Sequence, residues 1–217
     1  SYNGMQPMVS RSKNIMLVFN GEIFNFKKLK KYLKGKTFNG DSDTEVLLNL
    51  YEEMGIKIFD HLRGMFSLII YDFQTKKILV ARDQFGIKPL YVYNCDKFVL
   101  FSSEIKPILN YIKKTIFNYH TMAEFLLLGK QDHHNTTFFD NIKSIEPSHY
   151  YKFTTSSVTK KKYWSIFSKK EKKINEKRTI DKLYDLIDSK VDDYLISDRK
   201  IGVFMSSGID STSLASS

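Results

Sequence analysis

The stretch "MFSLIIYDFQTKKILVARDQFGIKPLYVYNCDKFVLFSS", residues 65–103, holds four apolar runs set apart by short polar turns: "MFSLIIYD", "KILVARD", "PLYVYN" and "FVLFSS". Runs this short, rich in β-branched and aromatic residues, read as a meander of antiparallel strands. Apolar residues fill consecutive positions instead of alternating with polar ones, which predicts strands covered on both faces. A sheet with a second sheet on one side and helices on the other meets that requirement, so the chain is expected to be of the α+β class.

Upstream, "IMLVFN" (15–20) is a strand ending at Gly21, and Phe26, Leu29 and Leu33 then recur at helical spacing. In "DSDTEVLLNLYEEMG" (41–55), Val46, Leu47, Leu50, Tyr51 and Met54 form one helical stripe closed by Gly55. Ser42 and Glu45 stand three apart at its start, the spacing of a capping box. Downstream come helices in "EIKPILNYI" and "HTMAEFLLLG", the extended "HYYKFTT", and an amphipathic helix in "TIDKLYDLIDSKVDDYLISD". Ile180, Leu183, Ile187, Val191 and Leu195 make its stripe. The last segment, "KIGVFMSSGIDSTSLASS" (200–217), reads as a strand, a Ser/Gly loop and a helix start. Such a connection aims unpaired N–H groups at one point, where phosphate commonly binds.

With 217 residues, 42% hydrophobic and 14% aromatic, the chain can build a core. No run of eighteen apolar residues and no signal-peptide pattern is present, so no membrane span is expected. A single cysteine, Cys95, excludes an internal disulfide and points to a reducing cytoplasm. The net charge of +10 is concentrated between Lys152 and Arg178, where roughly ten basic side chains face two acidic ones. That stretch reads as a linker, and its lysines, unaccompanied by many arginines, argue against nucleic acid as a partner. His133 and His134 are adjacent and lack metal-ligand spacing, so no metal is assigned to them.

The blocks "VFNGEIFN", "DSDTEVLLNLYEEMG", "LRGMFSLIIYD", "LVARDQFGIKPLYV" and "FSSEIKPIL", in that order and followed by "VFMSSGIDST", resemble glutamine-hydrolysing asparagine synthetase. The resemblance covers nearly the whole chain. It implies a class II amidotransferase domain over 1–151, an α-β-β-α sandwich of the N-terminal-nucleophile hydrolase type, then a basic linker over 152–178. The remainder, 179–217, would be the first helix, strand and phosphate loop of an α/β ATP pyrophosphatase domain.

In such a family ammonia is released from glutamine through a thioester, and the negative oxygen formed on the way needs two donors. The side-chain amide of Asn20 and the backbone N–H of Gly21 match that pair. Glu22 matches a residue that lines the glutamine pocket, and Asp43 the aspartate that holds the α-ammonium group. Read without the resemblance, Asn20 and Gly21 are a strand-ending turn, Glu22 a first-turn carboxylate, and Asp43 a helix-start residue. "RDQFGIKPLY" and "SSEIKPIL" read as mainly structural, with Arg82 and Asp83 pairing or capping locally and Gly86 and Pro89 shaping a tight connection.

By the same resemblance Met205, Ser206, Ser207, Gly208, Asp210 and Ser211 would hold ATP and its pyrophosphate, with Asp210 on Mg2+. Ser207 stands where the family has glycine, which costs binding geometry if that position needs positive φ or close approach of the phosphate. The family's nucleophilic cysteine and the arginine segment that precede Gln6, Pro7 and Met8 have no counterpart. The 217 residues are therefore expected to be a fragment at both ends, inactive alone, with neither Ser1 nor Cys95 a substitute nucleophile.

The implied function is asparagine synthesis from glutamine, aspartate and ATP by a cytoplasmic enzyme, with a homodimer left open. Other readings are a related amide-forming enzyme acting on a sugar acid or closing a β-lactam, and a non-catalytic glutamine-binding or partner-binding relative.

Overall fold

The central strands sort their side chains by parity. In β3 (Gly64–Asp72), Phe66, Leu68 and Ile70 are buried on one face while Ile69 packs on the other. Its neighbour β4 (Lys77–Arg82) sends Leu79 and Ala81 to the first face and Val80 and Ile78 to the second. A strand apolar at every position is thus stabilised by two separate cores, as its composition requires.

In the computed structural model, residues 4–130, 134–168, 175–196 and 200–216 are described. The first core lies between the sheet and helices. It joins Ile15, Leu17 and Phe19 of β2 (Ile15–Ile23) to Leu29 of α1 (Phe26–Leu29). Val46, Leu47 and Leu50 of α2 (Asp43–Met54) complete it with Ile58, Phe59 and Leu62 around the 3-10 turn Gly55–Asp60. Truncating a side chain such as Phe66 to alanine in a core of this kind costs about 3–5 kcal/mol.

The second core lies between two sheets. One is six-stranded and antiparallel, in the order β1 (Met8–Val9), β2, β3, β4, β8 (His149–Phe153) and β9 (Val158–Lys162). The other places β5 (Tyr91–Asn94) between β6 (Val99–Ser102) and β7 (Ile142–Ser144). Val80, Leu90, Ile145 and Phe153 fill the space between them, with Val92 and Phe101 packed against these four. On the far side of the small sheet, α3 (Ile105–Ile112) packs on β6 and buries Ile108, and α4 (Tyr119–Leu128) follows it in the chain. The order helix, sheet, sheet, helix matches the sandwich expected.

Four sequence-based expectations need correction. The four runs of 65–103 do not form one meander: β3 and β4 pair in the large sheet, β5 and β6 in the small one, and β4 takes β8 as its other neighbour. The connection from Asp83 to Leu90 carries the chain between layers. Strand β2 does not end at Asn20 but continues through Gly21 to Ile23, so these two residues are not a turn.

The stretch from Lys152 is not all linker either. It completes β8 and forms β9, and the first compact unit runs to Ile166, where a second, Phe167–Ser217, begins. The basic run has a structural use there, because β9 is an exposed edge strand and lysines on an edge discourage pairing with other chains.

The second unit holds α5 (Glu176–Tyr194) and α6 (Ile209–Ser216). Asn175 caps α5 by accepting the Arg178 N–H. The expected strand 200–205 is absent as a strand, for no partner strand pairs with it among the described residues. A single extended segment gains nothing from its backbone without one.

Candidate active site

Along β2, residues 15, 17 and 19 turn into the helix-side core, so Val18, Asn20 and Glu22 share the opposite face. The small sheet does not reach this part of that face, where Val18 is 41% exposed and Asn20 is exposed. Asn20 is not loose, however. Its Nδ2 donates to Ser103 Oγ at 3.1 Å, linking the large sheet to the end of β6.

Gly21 is held by close approach. With φ at +152°, an added Cβ would lie 2.1 Å from the Met65 carbonyl oxygen and 2.7 Å from Phe66 Cα, so only glycine lets the two strands stay together. Phe66, directly opposite, commits its N–H to Asp83 Oδ2 and its carbonyl to the Asp83 N–H. The Gly21 N–H therefore lies outside the β2–β3 ladder, on the open edge of β2. On that same edge the Phe19 N–H is met by Gln6 Oε1 at 2.6 Å and the Ile23 N–H by Asp43 Oδ2 at 3.0 Å.

Asp43 thus ties the N-terminus of α2 to the end of β2. Ser42 is the N-cap, its Oγ accepting the Glu45 N–H at 3.2 Å. Only this half of the expected capping box forms: the Glu45 carboxylate instead accepts the N–H groups of Asn39 and Gly40 at 2.8 and 3.0 Å, fixing the loop before the helix. Glu22 is electrostatically coupled to this corner. Its carboxyl is pushed above the ordinary range by partial burial and then by the negative charge of Asp43, with Lys88 opposing both. Asn20, Gly21, Glu22 and Asp43 are therefore drawn from two elements to one end of β2. The arrangement offers an amide donor, a backbone donor outside the ladder and a pair of carboxylates suited to a cationic group.

Residues 1–164 match the sequence profile of the glutamine amidotransferase domain. The chain belongs to that glutamine amidotransferase family. It is similar to "Asparagine synthetase [glutamine-hydrolyzing] 2" of Bacillus subtilis, with 35% identity over 98% of this chain and 30% of the relative. "Asparagine synthetase [glutamine-hydrolyzing] 3" of the same organism is 33% identical over 97% of this chain and 35% of its own length. Over 49% of this chain, the Zea mays asparagine synthetase reaches 43% identity. The amidotransferase chain spans about a third of the length of the Bacillus relatives it matches. Among solved structures, B. subtilis glutamine PRPP amidotransferase superposes with a TM-score of 0.53 at 20% identity, over 76% of this chain and 33% of that one, which places both in one fold.

Two residues at the candidate site, Ser103 beside Asn20 and Lys88 beside Glu22, escaped the sequence reading. Ser103 and Lys88 lie in blocks read as structural. Arg82 and Asp83, expected from the sequence to pair or cap locally, do cap: each bonds to backbone groups of the loop that follows. Asp83, 1% exposed, accepts the N–H groups of Phe66, Phe85, Ile87 and Lys88. Arg82 donates to the carbonyls of Gly86, Lys88 and Ile145 and to Ser144 Oγ. Two opposite charges adjacent in sequence thus fold the 83–88 loop from the inside, each onto backbone. An Arg-Asp-x-x-Gly spacing signals such a loop only once the charges are known to be buried.

Cys95 sits in the β5–β6 hairpin, its Sγ against the Phe98 carbonyl. Ser103 follows the opposite end of β6, roughly 13 Å of strand away. The thiol is therefore remote from the Asn20 amide.

In the second unit the 206–211 loop is closed by its own serines. The N–H of Ser206 meets Ser211 Oγ at 3.2 Å and that of Gly208 meets Ser206 Oγ at 3.1 Å. Ser207 is not among the described residues with positive φ, so its backbone carries no strain of that kind. Asp210 opens α6 and is exposed. No group of three or more metal-ligating side chains occurs among the described residues, and no described helix is long and apolar enough to cross a membrane.

Proposed function

We propose that the end of β2 is the glutamine site of an enzyme that releases ammonia for amide formation. A thiolate adding to the side-chain amide carbon pushes the carbonyl electron pair onto oxygen, and Asn20 Nδ2 and the Gly21 N–H donate to that oxygen. Collapse, with the proton the thiol gave up delivered to the leaving nitrogen, expels ammonia and leaves a thioester that water hydrolyses. Losing one such donor raises the barrier by about 3 kcal/mol. Glu22 and Asp43 take the α-ammonium group of glutamine. The only cysteine of the sequence is Cys95, remote from this corner, so the 217 residues alone are expected to release no ammonia.

The resemblance to asparagine synthetases extends the reading to the whole enzyme. ATP and aspartate would give an aspartyl adenylate and pyrophosphate, and ammonia would displace AMP to form asparagine. Met205, Ser206, Ser207, Gly208 and Ser211 would hold the phosphates. Asp210 would supply the one carboxylate that a phosphate-bound Mg2+ commonly needs. A phosphate entering this loop would replace the Ser206 and Ser211 hydroxyls as acceptor of its N–H groups, so the donors suit the ligand. Bound Mg2+ would neutralise charge on the leaving pyrophosphate.

The observation that carries the glutamine reading is the Asp43 carboxylate bonded to the Ile23 N–H, two residues from a Gly21 N–H that the sheet leaves unused. Glutamine hydrolysis by the full-length protein that carries this chain tests it. Asn20→Ala is expected to lower kcat about 10^2- to 10^3-fold, and Asp43→Asn to raise KM while largely sparing kcat. Wild-type kinetics in both variants would overturn the assignment.

A further inference from the structure

The strand–helix junction after β6 contains two adjacent serines with different partners. Ser102 Oγ accepts the Glu104 N–H at 3.2 Å, fixing the turn into α3. The Ser103 hydroxyl reaches instead across the sandwich to Asn20 Nδ2. Its own backbone is well anchored, between a strand paired with β5 and a helix whose Ile108 is 2% exposed.

Asn20 needs such a partner. Its side chain stands on the uncovered face of β2, and the terminal torsion of a carboxamide has broad, shallow preferences. An unrestrained amide would sample orientations that point both hydrogens away from a substrate oxygen. Nδ2 carries two hydrogens: with one held on Ser103 Oγ, the plane of the amide is set and the other remains to donate. A donor oriented before the reaction costs no reorganisation when charge develops.

We propose that Ser103 is a positioning residue for glutamine hydrolysis, orienting the Asn20 amide by accepting one of its two N–H groups. The assignment rests on the reading of Asn20 as an oxyanion donor.

The test compares glutamine hydrolysis by the full-length protein in four forms: Asn20→Ala, Ser103→Ala, Ser103→Thr and the double variant Asn20→Ala/Ser103→Ala. Ser103→Ala is expected to lower kcat about tenfold with KM unchanged, the scale of one lost hydrogen bond. Ser103→Thr, which keeps the hydroxyl, restores most of it, and the double variant is no slower than Asn20→Ala. In 15N correlation spectra of the 217-residue chain, Ser103→Ala should shift the Asn20 side-chain amide pair and Ser103→Thr return it toward its original position.

A large loss in Asn20→Ala with none in Ser103→Ala overturns the positioning role and leaves the donor reading standing. Additive losses, or an unmoved amide pair, overturn it as well. Wild-type rates in Asn20→Ala, or no ammonia above a blank from the unsubstituted protein, bring down the donor reading and the role of Ser103 together.

Discussion

Gly21 and Gly64 exclude a side chain from each other's strand. A Cβ on Gly21 would lie 2.1 Å from the Met65 carbonyl oxygen, and one on Gly64 would lie 2.1 Å from that of Glu22. Both contacts are with backbone, which cannot swing aside as a side chain can. Either alanine must part β2 from β3 where Asn20 and Glu22 are displayed, and Gly21 carries in addition a φ of +152°. Gly21→Ala and Gly64→Ala are each expected to destabilise the chain by about 2 kcal/mol or more. Denaturant unfolding measures this, and a Gly21→Ala variant within about 0.5 kcal/mol of wild type would contradict it.

The 83–88 loop depends on one carboxylate. Asp83→Ala leaves four N–H groups without their acceptor, and Asp83→Asn sets an NH2 group against two of them. Both are expected to cost about 3 kcal/mol or more, with asparagine little better than alanine. Thermal melts of the two variants settle it: an Asp83→Asn protein as stable as wild type would show that the charge and its acceptor geometry are dispensable.

The sandwich was legible because Ile69, Ile70, Leu79 and Val80 occupy consecutive positions that no one-sided sheet would bury. Its strand pairing was not, since β4 pairs with β8, about seventy residues on, and "HYYKFTT" carries no mark of its neighbour. Asn20, Gly21 and Asp43 could be named as candidates from their motifs, and α2 was read correctly from its stripe and cap. The contact with Ser103 could not be, because it joins segments 83 residues apart through side chains only. The excess of lysine after 152 hid β9, since an edge strand exposed throughout has no apolar alternation to reveal it.

The place where the first unit ends can be checked directly. Beyond Tyr151 the chain still adds β9, and Tyr163 stacks on Phe59 at 4.8 Å between ring centres while its hydroxyl donates to the Arg82 carbonyl. Burial, followed by the charge of Asp83, raises the pKa of that phenol, so it remains a donor throughout the physiological range. A polypeptide of residues 1–166 is expected to unfold cooperatively near the melting temperature of the first unit in the whole chain. One ending at 151 should melt at least about 10 °C lower or lack a cooperative transition, given the loss of a stacked aromatic and a buried hydrogen bond. Equal melting curves for the two would put the boundary back at the earlier position.

The carboxylates near β2 predict a pH dependence with a definite sign. Glu22 binds its proton more firmly in the folded chain than in the unfolded one, where its pKa is the ordinary 4.5, owing to partial burial and to Asp43. Between that value and the raised one the folded state holds more protons, so the Glu22 contribution to stability is full below the ordinary value and is lost as pH rises through the raised one. Glu22→Gln has no such loss, so its stability relative to wild type should improve from pH 4 to pH 7. An amino acid bringing its ammonium group between Glu22 and Asp43 would favour the ionised carboxylate, and its binding near pH 5 should then release protons. Calorimetry of glutamine binding in buffers of different ionisation enthalpy reads this out as a buffer-dependent heat for wild type that shrinks in Glu22→Gln. Heats independent of buffer would show that the ammonium group does not bind against this pair.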